Sequence, residues 1–395
     1  MSVAAGLALA PTAPAAPSAE EQKLVTANTG FAFNLLREIS TEQPGTNVFI
    51  SPYSVSTVLE MVENGAMGRT KDELRHTLGL AHLGEELQNG AAYDLDRTVC
   101  AGASNATLTT ANAVWCRKGV TPKADFITCN RVYYHATVQS LDFAAAAAPG
   151  IINAWAAGAT HGTIPTIVSG PIDPATDMIL ASAVYFKAHW AKEFEPYLTK
   201  PKAFHLDATR TVTVPMMSVT HSWLYLRGDG FQAVQLPYKD SFLAMEVLLP
   251  DTNSSPEQLL TALDAKTWQK HIATGLVSKK GTILLPRFKL AQTTDLRQPL
   301  QTLGVHGAFD SSANFSALSD DSLYISRVLQ KSYIQVDEAG TEAGAVTETW
   351  LTKGGDYDPE PFEMVMDLPF LFFITDTRSG TILFMGAIHD PSQAE

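Results

Sequence analysis

The chain has 395 residues, 45% of them apolar, and a formal net charge of −13 at pH 7. This length and composition allow a sizeable buried core. The acidic excess argues against nucleic acid or heparin as a main partner, because such binding depends on clustered Lys and Arg. Apolar runs fall far short of the ~20 residues that a membrane-spanning helix needs, so no membrane partner is expected.

The chain begins with an Ala/Pro-rich stretch over residues 1–20 that has no basic residue before its apolar part. A basic region is part of a secretory signal. We therefore predict a disordered tail over 1–20, with a divergent or trimmed signal as the alternative, and a single domain over 21–395. The compartment stays open between extracellular and cytoplasmic.

Helices are predicted mainly in the first part of the chain. Apolar spacing predicts a helix over 21–39, and Ser51-Pro52 has the cap and first-turn residues typical of a second helix that runs to Gly65. Shorter helices are predicted over 71–78, 149–160, 256–263 and 295–303.

The three cysteines, Cys100, Cys116 and Cys129, cannot all pair within one chain. Their spacings match no C-x-x-C metal or redox motif, and His135 near Cys129 lacks the other ligands of a zinc site. We therefore predict buried free thiols, no metal and no cofactor.

Strands are predicted mainly in the later part of the chain. Residues 179–186 are apolar on both alternations, which predicts a central strand covered on both faces. The other predicted strands are 232–238, 243–249, 282–289, 331–337, 369–375 and 381–388. Helices early and strands late predict an α+β fold.

The segment from Asp337 to Gly355 alternates between two kinds of residue. One alternation is small or apolar and uncharged: Thr341, Ala343, Ala345, Thr347, Thr349 and Leu351. The other alternation holds Glu342 and Glu348, which we expect to stay in water. Period-two patterning is typical of a strand with one buried face, yet Gly340 and Pro359 at the two ends are typical of a loop. We predict an exposed loop that is able to become a strand.

Residues 338–347, EAGTEAGAVT, closely resemble the hinge of the serpins, whose family pattern is E-x-G-T-E-A-A-A-A-T. Further segments resemble serpin motifs in family order: 47–55 (NVFISPYSV), 65–70 (GAMGRT), 184–187 (VYFK), 236–238 (LPY), 285–289 (LPRFK), 314–318 (NFSAL) and 369–374 (PFLFFI). The resemblance covers roughly residues 22 to 391. Many ordered matches over this length make it specific.

The resemblance implies the serpin fold, with three β-sheets, about nine helices and an exposed reactive-centre loop at about 340–359. It also implies a monomeric, metastable suicide inhibitor of serine proteases. The protease cleaves the loop, is held as an acyl-enzyme, and is displaced when the loop inserts into the main sheet. The alternative is a non-inhibitory serpin such as a chaperone, carrier or storage protein. Small, uncharged residues on the inward alternation of the hinge favour the inhibitor.

By the same resemblance, the hinge comprises Glu338, Gly340, Thr341, Glu342, Ala343, Gly344, Ala345, Val346 and Thr347. Counting from Glu338 places the cleaved bond near Gly354-Gly355. Lys353-Gly354 lies one position earlier and offers a cation to a trypsin-like pocket with an acidic floor. Leu351 or Trp350 would suit a chymotrypsin-like protease instead. We predict Lys353 and Gly354 as the reactive bond, and a trypsin-like target over a chymotrypsin-like one.

Ser51 and Ser54 resemble the serines of the serpin shutter beneath the main sheet. The family Asn and His of that network are replaced here by Ser182 and Gln330, which can still hydrogen-bond. Trp190 resembles the tryptophan of the breach, where insertion begins. In residues 93–115, where some serpins carry a basic heparin helix, the only cation is Arg97, so no heparin activation is expected.

The sequence contains no G-x-S-x-G, H-E-x-x-H or glycine-rich phosphate motif, and its ten histidines are scattered. We therefore predict no enzymatic activity.

Overall fold

The computed structural model describes residues 17–103, 105–341 and 360–393. The α-helices in these residues are α1 (Ala19–Glu42), α2 (Pro52–Glu63), α3 (Gly68–Thr77), α4 (Glu85–Gly102), α5 (Ala124–Tyr134), α6 (Ala148–Ala159), α7 (Pro256–Ala262), α8 (Ala265–Trp268) and α9 (Arg297–Thr302). The first eight strands are β1 (Val48–Ile50), β2 (Thr107–Arg117), β3 (Thr137–Leu141), β4 (Met178–His189), β5 (Lys200–His205), β6 (Thr211–Arg227), β7 (Phe231–Pro237) and β8 (Leu243–Pro250). The others are β9 (Val277–Pro286), β10 (Phe288–Asp295), β11 (Ile325–Val336), β12 (Gly340–Thr341), β13 (Phe362–Val365), β14 (Phe370–Asp376) and β15 (Thr381–Ile388).

Helices α1 and α2 start at their capping residues. Helix α1 begins two residues before the predicted start, because the Ser18 side chain accepts a hydrogen bond from the Glu21 amide and the Glu21 carboxyl accepts one from the Ser18 amide at 2.7 Å. Helix α2 begins at Pro52 and is capped by Ser51. The helices that the sequence analysis missed include α4 and α5, which begin after Gly84 and Lys123 without a side-chain cap.

A six-stranded sheet has the order β10-β11-β12-β4-β2-β3. Its central strand β4 is buried on both faces, as predicted. On one face Leu180, Val184 and Phe186 join the main core of the protein. On the other face Ile179 and Ala181 pack in a smaller core under α6. This arrangement confirms the α+β class.

The second sheet has nine strands in the order β1-β15-β14-β8-β7-β6-β9-β13, with β5 also on β6. The resemblance implies three sheets, whereas the described strands are hydrogen-bonded into two. The cause is the 17-residue strand β6, which pairs with β5 at its start, with β7 at its end and with β9 in between. Two layers are thereby joined into one sheet.

All three cysteines are free, but the prediction that all are buried was wrong: Cys116 is buried, Cys129 is partly buried and Cys100 is exposed. Burial raises the pKa of Cys116 to about 12, so this thiol is unreactive at neutral pH. Within the described residues, no three His, Cys, Asp or Glu side chains lie together as a metal site would require. No helix there is both long and apolar enough to cross a membrane.

Candidate functional site

The candidate site is the boundary between β4 and β11, which we call the seam. The two strands run parallel and pair from Met178 with Ile325 to Tyr185 with Tyr333. Beyond that point strand β12 lies between them and is antiparallel to both. Its Thr341 is opposite Val336 on β11 and Ala188 on β4. The start of the predicted hinge is therefore already a short strand within this sheet.

Thr341 is fully buried in the seam. Its hydroxyl oxygen lies 2.8 Å from the hydroxyl oxygen of Tyr238, whose ring stacks on Trp190 with centroids 4.7 Å apart. Gly340 is required by close approach, since a Cβ there would lie 2.1 Å from the Ala188 carbonyl oxygen. Any larger residue at 340 would push β12 away from β4.

Hydrogen bonds of Trp190 and Glu338 fix the segment that leads into β12. Trp190 donates from its indole Nε1 to the Asp337 carbonyl and from its backbone amide to the Ala339 carbonyl, both at 3.0 Å. Glu338 is 7% exposed and accepts hydrogen bonds from Arg287 Nε at 2.9 Å and from the Thr199 hydroxyl at 2.5 Å. Burial acts to raise the pKa of Glu338, but the bonds from Arg287 and Thr199 bring it below its usual value. The carboxylate is therefore charged and paired at neutral pH.

The predicted shutter residues do come together at the N-terminus of α2. The Gln330 side-chain amide makes two hydrogen bonds to the Ser51 backbone, accepting from its amide and donating to its carbonyl, both at 2.9 Å. The Ser54 and Ser182 hydroxyl oxygens lie 2.5 Å apart. Helix α2 thus contacts β11 through Ser51 and β4 through Ser54, and it holds both sides of the seam.

Asn112 is a member of this network that the sequence analysis missed. It lies on β2 directly beside Ser182, and its side-chain oxygen accepts from the Ser54 hydroxyl at 3.0 Å. The side-chain amide that Ser182 cannot provide thus comes from the neighbouring strand. The signal for it was a single Asn before the apolar run 113–116, in a strand that was not predicted.

Replacing Asn112 by Ala should lower the free energy of unfolding by about 1–3 kcal/mol, because the buried Ser54 and Ser182 hydroxyls would share two hydrogens with one acceptor fewer. Urea unfolding measures this loss. The matched control is Thr107→Ala, an exposed position on the same strand, which should cost less than about 0.5 kcal/mol. Equal midpoints for both variants would contradict the assignment of Asn112 to the network.

Other predicted site residues lie outside the described part of the chain. These are the reactive-bond residues Lys353 and Gly354 and the hinge residues Glu342, Ala343, Gly344, Ala345, Val346 and Thr347. The tail prediction falls outside it for residues 1–16.

Comparison with known proteins agrees with this geometry. The family model described as Serpin (serine protease inhibitor) matches residues 26–391. Leukocyte elastase inhibitor of Bos taurus is 35% identical, over 94% of this chain and 100% of its own. The structure of human thyroxine-binding globulin complexed with thyroxine has a TM-score of 0.85 at 29% identity, covering 95% of this chain and 100% of its own. That of mouse protein-Z dependent protease inhibitor has a TM-score of 0.84 at 28% identity, with the same coverage. The chain therefore belongs to the serpin family and is not an enzyme.

Proposed function

We propose that this serpin acts as a monomeric suicide inhibitor of a serine protease, by inserting its cleaved loop into the seam. The observation that carries the proposal is the position of β12, which pairs with β4 and β11 at once and is antiparallel to both. A strand continued from Thr341 in the same direction would have to run between these two strands.

The register of β12 indicates which residues each inserted side chain would meet. Continued from Thr341 opposite Ala188, it would place Ala345 beside Val184 and Thr347 beside Ser182. On the β11 side it would place Thr347 beside Gln330. These neighbours face the main core and the shutter, so the small, uncharged alternation of the loop suits burial there.

The same register separates the two glutamates of the opposite alternation. Glu342 would lie between Lys187 and Gln335, which are half-buried, in keeping with the expectation that it stays in water. Glu348 would lie between Ala181 and Leu329, which are 0% and 1% exposed under α6. The expectation of a solvated position therefore lacks support for Glu348.

Replacing Glu348 by Gln should increase the fraction of protease that is trapped rather than released, because an unpaired carboxylate is costly to bury. Titration of active protease with inhibitor gives the number of inhibitor molecules consumed per protease inactivated. We expect this number to fall for Glu348→Gln and to stay unchanged for the control Glu342→Gln. An equal effect of both variants would argue against this register.

The proposed target class is trypsin-like, because Lys353 offers a cation to an acidic pocket. Mixing the protein with trypsin should give a covalent complex that survives SDS, and Lys353→Ala should greatly slow its formation. Identification of the new C-terminus by mass spectrometry would locate the cleaved bond. Clean cleavage of the wild type with no complex would favour a non-inhibitory serpin.

A further inference from the structure

Glu60 on α2 is a carboxyl group buried in the core without a matching cation. It is 2% exposed, and its Oε1 atom has no hydrogen-bond partner among the described residues. Glu63, one turn further along α2, is paired instead, with Arg75 Nη1 at 3.1 Å and Lys71 Nζ at 3.6 Å. The nearby positive charges are therefore directed at Glu63.

Asn28 on α1 faces Glu60. Its side-chain amide hydrogen-bonds to the Glu60 carboxyl, while its own Oδ1 is buried and unpartnered. Both residues line a cavity of about 20 Å³, enough for about one water molecule. Two unsatisfied acceptor oxygens thus adjoin a small cavity. A carboxylate has no hydrogen to offer them, whereas a carboxylic acid does.

A proton on Glu60 Oε1 would complete the pair. The Oε1 hydroxyl would donate to Asn28 Oδ1, directly or through one water, while the Asn28 amide donates to the carboxyl group. Both unpartnered atoms would then be satisfied, which matters because an unmade buried hydrogen bond costs more than a typical one contributes.

The surroundings of Glu60 favour the neutral form. The ionisable groups that face it are Tyr53 and Glu63 on its own helix, Asp96 on α4, and Tyr133 and Tyr134 on α5. The residues that face Glu60 from α1 and β2 carry no charge: Leu24, Asn28, Thr110 and Asn112. None of these groups is a cation. Burial first, and then the Glu63 carboxylate, raise the pKa of Glu60 to about 8.

We propose that Glu60 is a positioning residue for the shutter, and that the proton it holds in the native protein ties α2 to α1. The first turn of the same helix carries Ser51 and Ser54, which contact Gln330 and Ser182 on the two sides of the seam. When Glu60 ionises, its carboxylate lacks a cation, and its Oε1 and Asn28 Oδ1 are two acceptors with no hydrogen between them, so α2 moves away from α1. The contacts across the seam weaken, and the sheet opens more easily at alkaline pH. An easier opening of the sheet would also ease loop insertion, and only this last consequence rests on the proposed function.

Thermal unfolding of the full chain as a function of pH tests the stored proton. A carboxyl group whose pKa is higher in the folded than in the unfolded state stabilises the folded protein. This contribution is complete at a pH below the unfolded-state pKa, and it is lost as the pH rises through the folded-state pKa. The thermal unfolding temperature of the wild type should therefore decrease as the pH is raised from about 5 to about 8. Glu60→Gln keeps the shape and a donor, and should lack the part of the fall between about pH 7 and pH 8.

Glu246→Gln is the matched control. Glu246 is also 2% exposed, and burial raises its pKa to about 7, but it lies on β8 and bonds to Gln235 and Thr375. Glu246→Gln should still show the decrease in unfolding temperature between about pH 7 and pH 8. Parallel pH profiles for the wild type and Glu60→Gln would overturn the proposal.

Infrared difference spectroscopy reports the proton directly. The carboxylic-acid band of the wild type should shrink as pH rises past about 8, and Glu60→Gln should lack that change. Hydrogen exchange, corrected for its intrinsic pH dependence, should then be faster across 178–189 and 325–336 at alkaline pH in the wild type alone. A band that Glu60→Gln leaves unaltered, or exchange that is unaltered by pH, would refute the assignment. No step uses a protease, so these outcomes are independent of whether the protein inhibits one.

Discussion

Thr341→Arg is expected to turn this protein from an inhibitor into a substrate that its protease cleaves and releases. Thr341 is 0% exposed, lies between Ala188 and Val336, and bonds to Tyr238. A guanidinium group at this point would have to be buried without a carboxylate partner, which costs several kcal/mol. Position 341 already lies in the seam of the uncut chain, so an arginine would drive β12 out of it, and the cleaved loop would have to bury the guanidinium again before it could insert.

The outcome depends on a competition between two rates. The acyl-enzyme is either hydrolysed by the protease or distorted by insertion of the loop. An increase of about 3 kcal/mol in the barrier to insertion slows it by roughly 100-fold. Hydrolysis then wins, and active protease is released together with a cleaved serpin.

Gel analysis after mixing with trypsin should show the cleaved form of Thr341→Arg and almost none of the SDS-stable complex. The matched control is Glu342→Arg, which makes a larger change of charge one residue further on. Its proposed neighbours Lys187 and Gln335 are half-buried, so water remains within reach of the new side chain. Normal trapping by Thr341→Arg, or equal loss in both variants, would disprove the role of this position.

The site residues were predicted from motifs and from the alternation of the loop, and the structure describes only part of them. Among those it describes, the four predicted shutter residues lie together at the start of α2, and Trp190 contacts the segment that leads into Thr341. Asn112 was missed for a physical reason. It acts through its position beside Ser182 on a neighbouring strand, and a cross-strand register cannot be read from one sequence.

The merging of two sheets was also beyond the sequence. Pro215 within β6 argues for a break, because proline cannot donate to a ladder. The strand continues since Pro201 on β5 lies directly opposite Pro215. Helix α2 presents a similar difficulty. Nearly all of its residues are buried, so apolar periodicity gives no hint that Glu60 faces inward rather than outward.

A single cut in the loop is expected to raise the thermal unfolding midpoint of the whole protein. Insertion would break the β4–β11 ladder and form two new ladders, one on each side of the inserted strand. If ten further residues pair in register, the hydrogen bonds formed exceed those broken by about one ladder. Each of these extra bonds contributes roughly 0.5–1.5 kcal/mol. Even after the cost of ordering the loop, burial of its apolar alternation makes the inserted form the more stable one. The uncut protein is then held by a kinetic barrier.

Calorimetry of intact and cleaved protein at one scan rate measures this difference. The protease for this experiment should cut the loop without being trapped, so that only the nicked serpin is heated. Cleaved Thr341→Arg is the control, because the same cut in a chain whose insertion is blocked at its first step should leave the midpoint unchanged. If the nicked wild type unfolded at the same temperature as the intact chain, the loop would gain nothing from the seam, and β12 would be only a fixed end of the loop.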